Sequence, residues 1–228
     1  MLKFAPILLA VLYAFVLYRF SVWRTGKMLD AQSTPLRDPG LRAMTDRLAR
    51  ALELPAIDVR VYEVEPVNGL AAPDGRIFLT RGFLNRYARG HVSAEEMASV
   101  IAHELGHVAL GHTRRRMIDV TGQNAVFVML AALLGRFIPI VGIYVANAIS
   151  TALAAGLSRR AEHEADAYAS ALLVKAGIGT GPQKSLFRKL ETLTGAVGAG
   201  PPEWLRSHPK TAERIRAIED REARWTQL

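Results

Sequence analysis

Ser93-Ala-Glu-Glu-Met-Ala-Ser-Val-Ile-Ala-His103-Glu-Leu-Gly-His107 is the stretch from which the rest of the chain can be read. Ser93 followed three residues later by Glu96 is a capping box. The Ser93 hydroxyl takes a backbone N–H of the first turn, and Glu96 reaches back to the Ser93 N–H. It predicts a helix running from about residue 93 to about Met117. On that helix His103 and His107 lie four residues apart and project from one face. Both imidazoles can then reach one zinc ion at about 2.0–2.1 Å. Glu104 follows on the same side, where it can act as a general base toward water. These residues alone also fit two ordinary histidines on an amphipathic surface, so the surroundings have to decide.

The residues beyond His107 exclude one large class of metal sites. A metzincin needs Gly three positions and His six positions after the second ligand, and Leu110 and Thr113 stand there. A third ligand has to come from elsewhere, and a carboxylate on a separate helix is the usual source. Ser158-Arg-Arg-Ala-Glu162-His-Glu-Ala-Asp166 offers two, Glu162 and Asp166, four apart on one helical face. One can bind metal while the other orients a ligand histidine from behind. Glu164 faces elsewhere. Taken without the histidines, this segment would read as a charged, solvent-facing helix start. Beside them it completes a metal site.

Composition narrows the chemistry further. The 228 residues contain no cysteine, which excludes disulfides and thiolate ligands and leaves His, Asp and Glu to hold any metal. Half the residues are hydrophobic, which raises the question of a membrane. The net charge is +8, yet no zinc-finger spacing or aromatic-interleaved basic strand accompanies it, so nucleic acid is not an expected partner. The basic residues gather instead beside apolar segments, as Arg19, Arg24 and Lys27, then Arg114, Arg115 and Arg116, then Arg159 and Arg160. Anionic lipid headgroups are the better use of that charge.

The first apolar segment runs from Phe4 to Tyr18 and continues amphipathically to Trp23. Its length of about 18–20 residues suffices for a bilayer span. No small-residue cleavage site follows it, since Tyr18, Arg19, Phe20 and Trp23 are bulky, so an uncleaved anchor is expected rather than a signal peptide. The excess of cations on its C-terminal side favours a cytoplasmic domain. A polar, proline-containing linker follows. The spacing of Leu41, Met44, Leu48 and Leu52 then predicts a helix over Gly40 to Leu52, stopped by Pro55. Ile57 to Tyr62 and Arg76 to Thr80 read as short strands, with Asn68-Gly69 and Pro73-Asp74-Gly75 as turns. Further helices are expected from Arg159 to Ala176, capped by Gly177, from Pro182, and from Pro209 to about Arg224.

With these segments in place the chain resembles the zinc endopeptidase family of HtpX and the CAAX prenyl endopeptidases, from about Gly40 to Ile218. That family pairs His-Glu-x-x-His with a downstream Glu-x-x-x-Asp, as His103 to His107 and Glu162 to Asp166 do here. The resemblance implies that His103, His107 and Glu162 bind one zinc. It makes Glu104 the base and Asp166 a support behind the ligands, and it places Arg159 in a Ser-Arg lead-in. It also likens the segment from Asn68 to Gly82 to an edge strand on which substrate peptides pair, which makes Asn68, Gly69, Leu70 and Ala71 the candidate substrate contacts. A free strand edge offers N–H and C=O groups that accept an extended peptide of almost any sequence. Gly69 departs from the family's bulkier pattern, and a looser edge is expected from it. The segment from Trp204 to Ile215 resembles one whose His and Arg, here His208 and Arg214, approach the active site. They act there as oxyanion stabilisers, or the His serves as an extra metal ligand that blocks it. His112 is assigned a structural or supporting place, and His91 and His163 no role.

The expected fold is mainly α with a small β-sheet (α+β), a gluzincin-like zinc metallopeptidase domain behind an N-terminal transmembrane anchor. The anchor is placed at 1–24, the linker at 25–39 and the domain at 40–228, with an apolar helical insert at about 120–157. The expected function is membrane-associated zinc endopeptidase in the quality control of misfolded or membrane proteins, in a bacterial inner membrane, with extended polypeptides and membrane lipid as partners. The alternative is an inactive or autoinhibited relative that holds peptides as an adaptor. The insert is constrained by the metal site. His107 and Glu162 must meet, so the number of crossings between them is even. Two crossings need about 40 apolar residues and only about 33 are present, so zero crossings is expected, with a short re-entrant hairpin as the variant.

Overall fold

The computed structural model describes residues 5–138, 140–193 and 211–226. These residues are mostly helical, with one small mixed sheet, as expected of an α+β chain. They form two compact units. One comprises Met1–Ala31 with Thr113–Ser158, and the other Gln32–His112 with Arg159–Leu228.

The second unit holds the site. Its sheet has the order β1-β2-β4-β3, with β1 at Ser33–Pro35, β2 at Val59–Tyr62, β3 at Gly69–Ala71 and β4 at Ile77–Thr80. β2 and β4 run parallel, Val59 opposite Ile77 and Tyr62 opposite Thr80. β1 and β3 flank them antiparallel, which leaves β3 at one edge. All four residues of β4 are buried, as befits the strand covered on both sides. The stretch expected to be a linker contributes β1, because Ser33, Thr34 and Pro35 find partners in Tyr62, Val61 and Arg60. A proline is tolerated at that position because β1 is the other edge. Gly69 lies inside β3 rather than in a turn, whereas Pro73-Asp74-Gly75 turns as expected, with Gly75 at φ 92.

α1 spans Ala5–Ala31, and α2, Pro39–Ala51, starts at Asp38, whose carboxylate accepts from the Leu41 N–H at 2.9 Å. α3 (Arg81–Ala88) follows β4 directly. α4, Ala94–Ala109, opens with the capping box: the Glu96 N–H donates to Ser93 Oγ and the Ser93 N–H to Glu96 Oε2. α4 packs against α2, β3, β4 and α7, and every residue from Glu96 to Gly106 is buried. A helix apolar on nearly all sides is a core helix. Fully buried side chains such as Met97 and Ile101 each contribute about 1.5–3 kcal/mol by leaving water.

The expected continuation of this helix to Met117 is interrupted. Gly111 takes φ 68, and a new helix, α5, begins at His112 and runs to Phe137. Glycine accepts that left-handed conformation without steric cost. α6 runs from Val141 to Lys175, so the helix expected from Arg159 starts much earlier, in the apolar stretch. Gly177, at φ 69, caps it. α7 (Gly181–Leu193) and α8 (Thr211–Trp225) complete the unit, packed on each other. Within the first unit α5 turns into α6 through three residues, and a Cβ on Gly142 would lie 2.7 Å from the Leu134 carbonyl carbon.

Candidate metal centre

α4 and α6 meet at Gly106. A methyl group there would lie 3.0 Å from both the Cα and the carbonyl oxygen of Ala165, so only glycine lets the two helices come this close. The consequence is local. Glu162, one turn before Ala165, comes to face His103, one turn before the contact, and His107, the residue that follows it. His103 Nε2 lies 3.3 Å from Glu162 Oε2 and 3.1 Å from His107 Nε2, and His107 Nε2 lies 3.5 Å from Glu162 Oε1. The three donor atoms lie within 4.8 Å of one another, a group able to hold a metal ion. Two imidazole nitrogens and a carboxylate suit zinc, and leave the open position a catalytic site requires.

The opposite edge of His103 is held as tightly. Its Nδ1 lies 2.9 Å from Asp166 Oδ1. Arg214, on α8, donates to both Asp166 oxygens at 2.7 Å and lies 3.4 Å from His103 Nδ1, with its guanidinium carbon 4.1 Å from the centre of the Phe187 ring. Arg214 and Asp166 are wholly buried. Burial raises an Asp carboxyl, but here the charge and hydrogen bonds of Arg214 outweigh it and hold Asp166 well below the usual range. Burial lowers His103, yet its bonds to Asp166 and Glu162 prevail and raise it to about 9.

Glu104 is buried beside the three donors. Burial, chiefly, and the Glu162 charge push its carboxyl up to about 7, against the lowering effects of His103, Arg214 and the Ala71 N–H that donates to it. That bond joins the site to β3. Asn68 and Thr80 share a hydrogen-bonded position, with the Thr80 N–H donating to the Asn68 carbonyl at 3.1 Å, as do Ala72 and Arg76. In an antiparallel pair such positions alternate. The N–H and C=O groups of Gly69 and Ala71 therefore point away from β4, toward the open edge. Asn68 itself is fastened by Thr80 Oγ1 and turns its side chain back onto the Gly69 N–H at 3.0 Å. Gly69 does not loosen this edge: a Cβ there would lie 2.7 Å from Val100 Cγ1 and 3.6 Å from the Glu104 side chain, so its absence brings β3 close to α4. Leu70 alternates with these residues and pairs with Phe78.

The structure thus brings together His103, Glu104, His107, Glu162, Asp166 and Arg214. Arg159 is exposed, almost one turn before Glu162, and makes none of these contacts. His208 lies outside the described residues. Arg214 sits behind His103 on the Nδ1 side, not on the Nε2 side where the three donors converge, so the expectation of a direct contact with a reacting oxygen does not match its place. Two residues take a larger part than expected. His112 Nδ1 lies 3.1 Å from His107 Nδ1, and His112 Nε2 lies 3.0 Å from Glu164 Oε2. The glycine before His112 was the available signal, since it marks a turn that returns the next residue toward the helix end.

Comparison with known proteins gives the family. The sequence pattern described as peptidase family M48 matches residues 35–222. The chain is 30% identical over 181 residues to the metalloprotease LoiP of Escherichia coli, covering 79% of this chain and 69% of that protein. It is likewise 30% identical over 165 residues to the metalloprotease YcaL of Escherichia coli, covering 72% of this chain and 62% of that one. To the protease HtpX of Pseudomonas aeruginosa it is 23% identical over 232 residues, covering 85% and 76%. A pattern spanning the catalytic unit, together with two histidines and a glutamate converging beside a buried glutamate, places the chain in peptidase family M48, the zinc-dependent metallopeptidases.

Proposed function

We propose that this chain is a membrane-associated zinc endopeptidase in which His103, His107 and Glu162 hold the metal and Glu104 is the general base. The observation that carries the reading is the convergence of the three donor atoms within 4.8 Å beside a carboxyl raised to about 7. Bound zinc supplies the Lewis acidity that peptide hydrolysis at neutral pH requires. Everything else is done by the chain. The Glu104 carboxylate, buried beside the three donors, can take a proton from the attacking water and return it to the leaving amine. Its hydrogen bond from the Ala71 N–H fixes where that carboxylate stands relative to β3. An extended peptide added along β3 pairs with the outward carbonyls of Gly69 and Ala71, whose N–H groups are held by Asn68 Oδ1 and Glu104, so the edge reads backbone rather than side chains. Broad specificity follows, as suits the removal of misfolded or membrane proteins. Asp166 and Arg214 act through His103: the carboxylate accepts from Nδ1, leaving Nε2 for the metal, and Arg214 keeps that carboxylate ionised. A gluzincin-like arrangement of the metal helix, the edge strand and the downstream glutamate fits this division of labour.

The membrane part of the proposal rests on α1 and the α5–α6 hairpin. α6 is long and apolar enough to cross a bilayer, and apolar side chains such as Met129, Leu133, Phe137, Tyr144 and Leu153 are more than half exposed. The apolar part of α5, Val126–Phe137, rises only about 18 Å at 1.5 Å per residue, short of the ~30 Å hydrocarbon core. A hairpin lying in the interface or entering without crossing satisfies both lengths and returns the chain to its own side. The N-terminal helix serves as the anchor. Glu104→Gln is expected to abolish proteolysis while retaining about one zinc per chain, measured by metal analysis beside a casein-cleavage assay. Retained cleavage in that variant would sink the mechanism.

A further inference from the structure

The two ligand histidines are supported differently. His103 leans on a carboxylate directly, through Asp166. His107 leans on a second imidazole, that of His112, which leans in turn on Glu164. Glu164 Oε1 accepts from Arg160 Nε at 2.8 Å. Residues five apart do not share a helix face, so α4 continued without a break would carry His112 away from His107. Leu110-Gly111 prevents this. With Gly111 at φ 68 the helix ends and His112 comes back, buried, against the ring it supports.

We propose that His112 is a positioning residue of the metal centre, holding His107 as the Nδ1–H tautomer, and that Glu164 fixes the tautomer of His112. The inference rests on the reading of His107 as a ligand through Nε2. The protons then have one consistent arrangement. With the Nε2 lone pair of His107 given to metal, its proton is on Nδ1 and donates to His112 Nδ1. That nitrogen must be the bare one, so the His112 proton is on Nε2 and donates to Glu164 Oε2. Each link has one donor and one acceptor. The negative charge backing His107 is thereby one ring further away than the Asp166 charge backing His103, and it stands at the surface, where the Glu164 side chain is 37% exposed.

Such outer partners are typically worth roughly 10–100-fold in metal affinity. The experiment measures zinc affinity by competition with a chelating dye, the visible spectrum of the cobalt(II)-substituted protein, and the melting of zinc-stripped protein. His107→Ala serves as the control for the underlying reading. His112→Phe is expected to weaken zinc roughly 10–100-fold and to shift the cobalt bands, with the stripped protein melting as wild type does. Glu164→Ala, on the surface and safe for folding, is expected to move affinity in the same direction, and Glu164→Gln, which still accepts a hydrogen bond, to move it less. The double variant His112→Phe/Glu164→Ala is expected to be no worse than His112→Phe alone, because Glu164 acts through His112. Wild-type affinity and cobalt spectrum in His112→Phe and Glu164→Ala overturn the proposal while leaving His107 a ligand. So does an equal fall in melting of stripped and zinc-loaded protein, which marks a packing role only. Undiminished zinc in His107→Ala refutes the ligand reading, and this proposal with it.

Discussion

At the scale of single residues, the buried charge pair is the most exacting feature of the site. Asp166 and Arg214 are both fully buried and joined by two bonds of 2.7 Å. Removing one partner of such a pair strands the other, at a cost of about 3–5 kcal/mol. Asp166→Asn is therefore expected to lower the unfolding free energy by about that much in urea titrations, and to weaken zinc because His103 loses its acceptor. A variant of wild-type stability would contradict the pairing. Glu96 supports the opposite end of α4. Burial alone would raise its carboxyl, but bonds from Lys189, Ser185 and the Ser93 N–H outweigh that and lower it. A folded pKa below the unfolded value means stability that is full above the unfolded value near 4.5 and is lost as pH falls through the lower, folded one. Glu96→Gln is expected to cost about 1–3 kcal/mol at pH 7 and progressively less below pH ~4. A gap that stays constant with pH would show that the charge is not what matters. The motif residues could be read from the sequence because capping and ligand spacing are local. Arg214 meets Asp166 across 48 residues, and His112 meets Glu164 across 52, and no local pattern encodes either contact.

At the scale of elements, the decisive event is the crossing of α4 and α6 at Gly106. Glycine inside a helix costs about 0.5–1 kcal/mol relative to alanine, so propensity argues for replacement and packing against it. A methyl at 3.0 Å from backbone atoms of Ala165 cannot be relieved by turning a side chain. Gly106→Ala is therefore expected to push the helices apart, lower stability by about 1–3 kcal/mol, and weaken zinc along with activity. Stabilisation by about 0.5–1 kcal/mol, the propensity outcome, would mean that the helices are not held together there. Helix starts were legible where a capping box or a proline marked them, as at Ser93 and Pro182, whereas the Asp38 cap was not among the expected signals and the helix it opens was placed at Gly40. The boundaries that escaped reading were of another kind. β1 exists because Tyr62, Val61 and Arg60 pair with it, and Ser33-Thr34-Pro35 has no strand pattern of its own. α6 begins at Val141 because apolar residues continue the helix far upstream of the charged motif that carries Glu162 and Asp166.

At the scale of the whole molecule, the chain leaves the catalytic unit after His112 and returns to it at Arg159. Everything between belongs to the unit of exposed apolar helices, yet His107 and Glu162, on either side of it, approach to 3.5 Å. If that unit crosses a membrane, it must do so an even number of times. The absence of native cysteine makes this directly measurable, because a single introduced thiol is the only one that reacts. Leu54 precedes the interval and Val174 follows it, and both are close to half exposed. In inverted and right-side-out vesicles, Leu54→Cys and Val174→Cys are expected to react with a membrane-impermeant maleimide from the same side. Phe137→Cys, in the proposed membrane hairpin, is expected to react slowly from both sides, because that proposal puts its exposed ring in lipid. Labelling of Leu54→Cys and Val174→Cys from opposite faces would require an odd number of crossings. Glu162 could not then reach His103 and His107 in the same chain, and the metal centre would fall with it. Same-side labelling with fast reaction at Phe137→Cys would retain the metal centre but remove the hairpin from the bilayer, leaving α1 to carry the attachment alone.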